Sequence, residues 1–325
     1  MKIETNVHET NMIKWAEKHP ETLVLSADLG GSCEVGKFSR VFPERYFNLG
    51  LAEQNMVGWA AGLAREGFRP YLHTFAVFLF RRALDQIEMS VAYPNLPVTF
   101  VTFCPGITST GGVTHQATND VAVLRNVPNM TILDVGDATD IESVLDAADT
   151  AGGPVYIRML RKSVPRLFPS SEPMVLNRGR IISEGTDVAL FSSNICTEEA
   201  LYAVKALQDK GLSIQHVHIS TLKPFSDPAV LDSLSKVKYG AVTIENHTVI
   251  GGLGTCVAEI IAVNGLSTKL IRLGLQDVYA HGASQKYLLK KYGMDTTAVV
   301  GAVEKLTGNC FDIDDAFIEN VRNTF

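Results

Sequence analysis

Short apolar runs separated by helix-length segments occur in two successive series, and that alternation restricts the fold more than any other feature of the chain. In the first series the runs are Thr22–Ser26, a stretch near Tyr46, Pro70–Leu72, Pro97–Phe103, Thr131–Asp134 and Val155–Arg158. In the second they are Asp187–Phe191, Ile214–Val217, Ala241–Ile244 and Lys269–Ile271. Apolar runs without polar alternation are strands buried on both faces, the pattern of a parallel sheet with helices packed on each side. Helical patterns lie between them: Asn11–Lys18, a segment that ends at Gly67, Phe75–Tyr93, a segment with Ile141, Val144, Leu145 and Ala148 on one face, Glu198–Leu207 and Thr255–Ala262. Three more close the chain, at Lys286–Tyr292, Thr296–Leu306 and Asp314–Val321. The expected fold class is α/β, as two three-layer domains. Between Lys162 and Pro173 the sequence turns to Ser, Pro and charge, which reads as a linker. The domains are placed at residues 1–165 and 183–325, with the linker at 166–182.

Composition excludes several classes. At 325 residues, 46% hydrophobic and 20% charged, the chain has the make-up of a soluble globular protein with room for two cores. Its net charge of -6 and lack of basic runs argue against a nucleic-acid surface. The segment Met89–Asn119 lacks Asp, Glu, Lys and Arg, but Pro94, Pro97 and Pro105 exclude a membrane helix. Five cysteines without Cys-x-x-Cys spacing suggest neither a disulfide framework nor a zinc site. With no signal peptide at Met1, a reducing, cytoplasmic setting is expected.

The helical segment that ends at Gly67 begins within Phe47–Gly62 and carries one carboxylate, Glu53, at its apolar start. Ala52, Met56, Ala60 and Leu63 recur at helical spacing, while Gly58 and Gly62 bare another face, so both faces are expected to be buried. Glu53 either complements the helix N-terminus from solvent or is buried for chemistry. Loops after strand carboxyl ends, where α/β sheets bind ligands, are Ala27–Ser32 and the Gly- and Thr-rich Pro105–Gln116 with His115. Taken alone, His115 reads as a solvated loop side chain, Arg161 as a surface charge, and Phe75 with Phe78 as core. Gly251-Gly252-Leu253-Gly254 follows a strand and precedes a helix but is no dinucleotide fingerprint or P-loop, so a tight turn is expected. Glu245 and His247 alone are too few ligands for a metal.

In order, these stretches resemble the C-terminal half of transketolases. The resemblance rests on Ser26-Ala27-Asp28-Leu29, Gly50-Leu51-Ala52-Glu53-Gln54-Asn55-Met56, Thr74-Phe75-Ala76-Val77-Phe78, Asp85-Gln86-Ile87, Thr114-His115-Gln116 and Leu124–Met130. It continues through Thr221–Phe225 and Glu245-Asn246-His247 to Gly251–Gly254, and so covers nearly the whole chain. It implies a thiamine-diphosphate pyrimidine-binding domain followed by a smaller transketolase C-terminal-like domain. It also implies transfer of a two-carbon ketol unit from a ketose to an aldose. Glu53 would contact N1′ of the cofactor's aminopyrimidine ring, with Phe75 and Phe78 lining the slot for that ring and Arg81 and Asp28 also binding the cofactor. A carboxyl group among apolar and aromatic side chains favours its protonated form and can share a proton with such a ring. By the same resemblance His115 faces the substrate as a second catalytic residue, and Ser32 and Arg161 hold the sugar's anionic end.

Three positions depart from the pattern. Thr5 and Phe103 stand where the family has an arginine and a histidine in its phosphate clamp, and Gly111 replaces an aspartate that reads hydroxyl stereochemistry. An unusual donor is therefore expected, such as a branched or sulfonated ketose. The Gly-Asp-Gly motif that holds the diphosphate's metal is missing, Gly136-Asp137-Ala138 being the nearest approach. Mg2+ or Ca2+ would then be held by a separate N-terminal subunit carrying that motif, in an α2β2 assembly in which this chain also self-associates. Rival readings are the β subunit of a 2-oxo acid dehydrogenase, a deoxyxylulose-phosphate synthase, a non-catalytic stabilising subunit and a nicotinamide-binding protein.

Overall fold

The computed structural model describes residues 1–325. Eight strands belong to the first half: β1 (Lys2–Thr5), β2 (Thr22–Ser26), β3 (Tyr46–Asn48), β4 (Arg69–Phe75), β5 (Thr99–Phe103), β6 (Thr131–Asp134), β7 (Val155–Met159) and β8 (Ser163–Arg166). Six follow: β9 (Arg180–Ser183), β10 (Val188–Ser192), β11 (Ile214–His218), β12 (Thr221–Lys223), β13 (Gly240–Thr248) and β14 (Leu270–Leu275). Strands β2, β5, β6, β7, β10 and β11 are buried at every residue, as two-sided coverage by helices requires.

The first sheet has the order β12-β6-β7-β5-β4-β2-β3 and the second β14-β13-β10-β11-β9. Both are parallel except for their outermost additions, β12 against β6 and β9 against β11. Strand β12 comes from the second half of the chain and completes the first sheet, so the two halves share a sheet edge. The linker region is more ordered than its composition suggests. Strand β8 pairs antiparallel with β1, Lys2 opposite Arg166 and Thr5 opposite Ser163, and β9 already belongs to the second sheet.

Two expectations are corrected. The single helix over Phe75–Tyr93 is broken: Phe75 is the last residue of β4, where it pairs with Phe103 of β5. A helix runs over Ala76–Arg82, Ala83 leaves helical geometry, and a short turn at Leu84–Gln86 leads to a wide turn over Ile87–Ala92. Pairing with β5 takes Phe75 into the sheet despite a sequence compatible with helix. Likewise, the Glu53–Arg65 helix buries only one face, through Glu53, Met56, Val57, Ala60, Ala61 and Ala64. Gly58, Trp59 and Gly62 are exposed, because no element of this chain covers them.

Beneath the sheets, one hydrophobic cluster of 61 buried residues crosses from the first half into the second, and a further cluster of 20 lies under the second sheet. A polar seam joins the halves. Arg158, fully buried on β7, donates to Asp120 Oδ2 at 3.0 Å, to Asp134 Oδ2 at 2.9 Å and to the carbonyl of Asn246 at 2.9 Å. Asn194 donates to Asp134 Oδ1 at 2.7 Å, and His218 meets Asp140 at 2.8 Å. Removing one partner from such a buried pair leaves an uncompensated charge, at a cost of about 3–5 kcal/mol. No helix is long and apolar enough to cross a membrane.

Candidate active site

Glu53 opens its helix with no side-chain cap, and its carboxylate is 2% exposed. Its Oε1 accepts from Arg82 Nη1 at 2.8 Å, while Oε2 has no partner within the chain. The Arg82 guanidinium also lies 4.4 Å from the Phe78 ring centroid, so one side chain spans carboxylate and aromatic wall. Phe75, at the end of β4, and Phe78, in the first turn after it, have ring centroids 5.7 Å apart and planes inclined at 26°. His115 closes on this pair edge-on, 6.2 Å from Phe75 and 5.4 Å from Phe78, and its Nδ1 is 2.9 Å from Thr114 Oγ1.

On the other flank Arg161 stacks over Phe75 at 5.0 Å and donates to the backbone carbonyl of Ser32 at 3.1 Å. The structure thereby brings Ser32, Arg161, Phe75, Phe78, His115 and Glu53 into one continuous site. A cavity of about 200 Å³ adjoins Arg161 and runs between the two halves, lined by Cys104, Ser109, Thr110, Lys162 and Glu198. Lys162 adopts a left-handed backbone (φ 65°), and its N–H donates to Glu34 Oε1 at 2.6 Å. Burial raises the Glu34 and Glu198 carboxyls and the Cys104 thiol above their ordinary values.

Two other sequence candidates sit less centrally. Arg81 points away from Glu53, donates to the carbonyl of Val113 at 3.3 Å and so tethers the His115 loop. Asp28, exposed and left-handed (φ 59°), forms a reciprocal pair with Asn48: Asn48 Nδ2 donates to Asp28 Oδ1 and the Asp28 N–H donates to Asn48 Oδ1, both at 3.0 Å. Arg82 is the residue that sequence reasoning missed. Its signal was a spacing of four from Phe78, which puts both on one helical face.

Other motifs have structural roles. Asp137 caps the Ala138–Asp149 helix, accepting from Asp140 N at 2.8 Å, and also accepts from Leu167 N at 2.9 Å and Phe168 N at 3.0 Å, so its carboxylate is spent on backbone. Glu245 accepts from the N–H groups of Leu253 at 2.7 Å and Gly254 at 2.9 Å, at the start of the Leu253–Val263 helix. A Cβ at Gly252 would collide with that carboxylate, which accounts for the glycine-rich turn. Thr5 is exposed on β1 and Phe103 is fully buried on β5, so neither position offers an anion a cationic donor.

The residues present suit the aminopyrimidine half of thiamine diphosphate. A stacked aromatic pair and a buried carboxylate with one free oxygen are joined through Arg82, and Oε1 of Gln86 is buried without a partner. A thiamine-type ring is planar, with polar nitrogens at its edge, and needs such a combination.

Two family models match the chain in succession: the transketolase pyrimidine-binding domain over residues 4–166 and the transketolase C-terminal domain over residues 177–299. A putative transketolase C-terminal section from Methanocaldococcus jannaschii is 38% identical over 89% of this chain and 91% of its own length. A 6-deoxy-6-sulfo-D-fructose transketolase subunit, SqwH, from a Clostridium species is 36% identical over 91% of this chain and 92% of its own length. The solved structure of a split-gene transketolase, an inactive β4 tetramer, superposes with a TM-score of 0.85 at 36% identity, covering 93% of this chain and 97% of that one. With its pyrimidine-binding and C-terminal domains in the family's order, the chain belongs to the transketolase family and corresponds to the C-terminal section of such an enzyme.

Proposed function

We propose that this chain is the pyrimidine-binding subunit of a split transketolase that transfers a two-carbon ketol unit from an anionic, modified ketose, a sugar phosphate or sulfonate, to an aldose. The observation that carries this reading is the chain of contacts from the buried Glu53 carboxylate through Arg82 to the Phe75–Phe78 pair and on to Arg161, which has no carboxylate partner. Thiamine diphosphate, when bound, supplies the nucleophile for cleaving the ketose. Glu53 holds a proton at the edge of the aminopyrimidine ring, and Phe75 with Phe78 excludes water from its faces. His115 orients sugar oxygens. Arg161 and Ser32 bind the anionic terminus, a role to which the adjoining cavity is suited.

The diphosphate and its Mg2+ or Ca2+ belong on an N-terminal partner subunit in this reading, since Asp137 is committed to backbone N–H groups. The bared face of the Glu53 helix, with Trp59 47% exposed between Gly58 and Gly62, supports self-association there. The name of the Clostridium relative and the lost polar positions Thr5, Phe103 and Gly111 favour a sulfonated or otherwise modified donor over ordinary pentose phosphates. Co-expression with an N-terminal transketolase subunit carrying Gly-Asp-Gly, followed by a screen of phosphorylated and sulfonated ketoses with aldose acceptors, tests the reading. Ketol transfer that requires both subunits and thiamine diphosphate is expected. A properly assembled complex that binds thiamine diphosphate but transfers no ketol unit from any ketose would refute it.

A further inference from the structure

The loop Pro105–Gln116 leaves the first sheet after β5 and carries His115, yet the second half of the chain determines its shape. Ile107 is fully buried in the second hydrophobic cluster, among residues that include Val188, Leu190, Val242 and Ile244. Asn246 of β13, also fully buried, brackets Gly106. Its Nδ2 donates to the Pro105 carbonyl at 3.0 Å, and its Oδ1 accepts from the Ile107 N–H at 2.9 Å. A further bond from Nδ2 to Asn194 Oδ1 at 2.9 Å fixes which way the amide points. Gly106 is left-handed (φ 54°), and a Cβ there would run into Asn246, so side chain and loop are fitted to one another.

A second fastening lies near His115. Gly112 is left-handed (φ 70°), and a Cβ on it would lie 3.1 Å from the backbone N of Gly282. A Cβ on Gly282 would lie 2.7 Å from the carbonyl oxygen of Thr110, closer than side chains pack. Two glycines therefore let the backbones of the halves touch, three residues before His115. Past the loop, the Thr248 N–H donates to the Thr118 carbonyl at 2.8 Å and anchors the exit. From its own half the loop receives the Arg81 bond to Val113 and a bridge between Pro105 and Ala117.

We infer that the C-terminal domain is the template that holds the His115 loop against the aromatic slot, with Asn246 and Gly282 as its positioning residues. The catalytic consequence rests on the ketol transfer proposed above; the structural one does not. The domain acts by fixing where His115 stands relative to Phe75 and Phe78. Displacement of such a loop should weaken substrate recognition while leaving the cofactor slot intact, because Glu53 and the phenylalanines sit on other elements.

The test uses the assembled two-subunit enzyme and compares Gly282→Ala with Gly301→Ala, an exposed glycine whose new methyl would meet nothing within 4 Å. Hydrogen exchange at residues 107–115 is expected to quicken at least about tenfold in Gly282→Ala and not in Gly301→Ala. KM for the donor sugar should rise about tenfold or more with kcat changed less than about threefold, and the affinity for thiamine diphosphate should be unaltered. Asn246→Ala should reproduce this pattern, and if that variant does not fold, Gly282→Ala still decides. Unchanged exchange in Gly282→Ala overturns the template, and faster exchange with unchanged KM overturns its role in recognition. An enzyme inactive on every ketose tested refutes the ketol-transfer reading instead, since the exchange result is read without substrate.

Discussion

Arg82 Nη1 lies 2.8 Å from Glu53 Oε1, and the same guanidinium covers the Phe78 ring, so the carboxylate at the head of the helix and the aromatic wall opposite are held by one side chain. Arg82 is 52% exposed, which screens the pair, and its coupling should be about 1 kcal/mol rather than the several of a wholly buried pair. A double-mutant cycle on Glu53→Gln and Arg82→Met by chemical denaturation measures it. Glu53→Gln should also lower turnover at least about 100-fold with the fold intact, as loss of a proton-holding group does. Arg82→Met, which keeps the packing on Phe78, should lower kcat only about tenfold. A coupling energy of zero would remove Arg82 from the site.

Gly111 stands where the resemblance led to expect an aspartate, and restoring one should not restore ordinary specificity. A Cβ at that position would lie 3.1 Å from the His115 side chain, tighter than ordinary packing, so the histidine the new carboxylate was meant to accompany must shift. Gly111→Asp is expected to lower kcat/KM between about 10- and 100-fold for every donor sugar, in line with the cost of misplacing a positioned group by about 1 Å. A gain of activity on an unmodified pentose phosphate would show that the loop can accept the side chain.

The two α/β units, their strand runs and the Glu53 helix were legible because they depend on local apolar patterning. The additions at the sheet edges were not. Thr221–Lys223 is a three-residue strand that pairs with β6, and Ser163–Arg166 pairs with Lys2–Thr5 across the whole first half. The break at Phe75 was hidden for the same reason, since Phe75 joins β4 through pairing with β5 that no local preference announces. Of the site, Glu53, Phe75, Phe78 and His115 came from motifs and lie together. Arg82 was passed over because adjacent arginines differ only in the face they present. Asn246 stood out only as part of the Glu245-Asn246-His247 stretch, its clamp on Pro105 and Ile107 being a contact between residues about 140 positions apart.

Arg161 has no carboxylate partner, stacks on Phe75 and faces a cavity also lined by Lys162, and that pair should recognise charge on the donor. A charge-assisted bond to an anionic terminus contributes about 1.5–3 kcal/mol, so Arg161→Met should raise KM for a phosphorylated or sulfonated ketose between about 10- and 100-fold. KM for an uncharged ketose of the same carbon skeleton should hardly change. Lys162→Met should have a smaller effect in the same direction. Equal losses on charged and uncharged donors would mean that Arg161 shapes the slot and binds no anion.

Acid should act on stability in opposite senses at two buried groups. His216 is fully buried against Ser192 Oγ at 2.8 Å, and burial lowers it to about 3 from the ordinary 6.5. The unfolded chain then takes up the proton first, so its contribution is complete above about pH 6.5 and is lost as the pH falls towards 3. Glu245 is raised to about 7 by burial, so it binds a proton more readily folded than unfolded, and its contribution is present below about pH 4.5 and lost as the pH rises through 7. Between pH 7.5 and 5.5, His216 should cost on the order of 1 kcal/mol of stability and Glu245 should return on the order of 2 kcal/mol. His216→Gln should therefore make the protein less sensitive to acid over that range, and Glu245→Gln more sensitive, each by roughly those amounts. Urea denaturation of each variant at the two pH values measures both slopes. A change of the same sign in both variants would show that one of the two groups is not buried in the protonation state assigned to it.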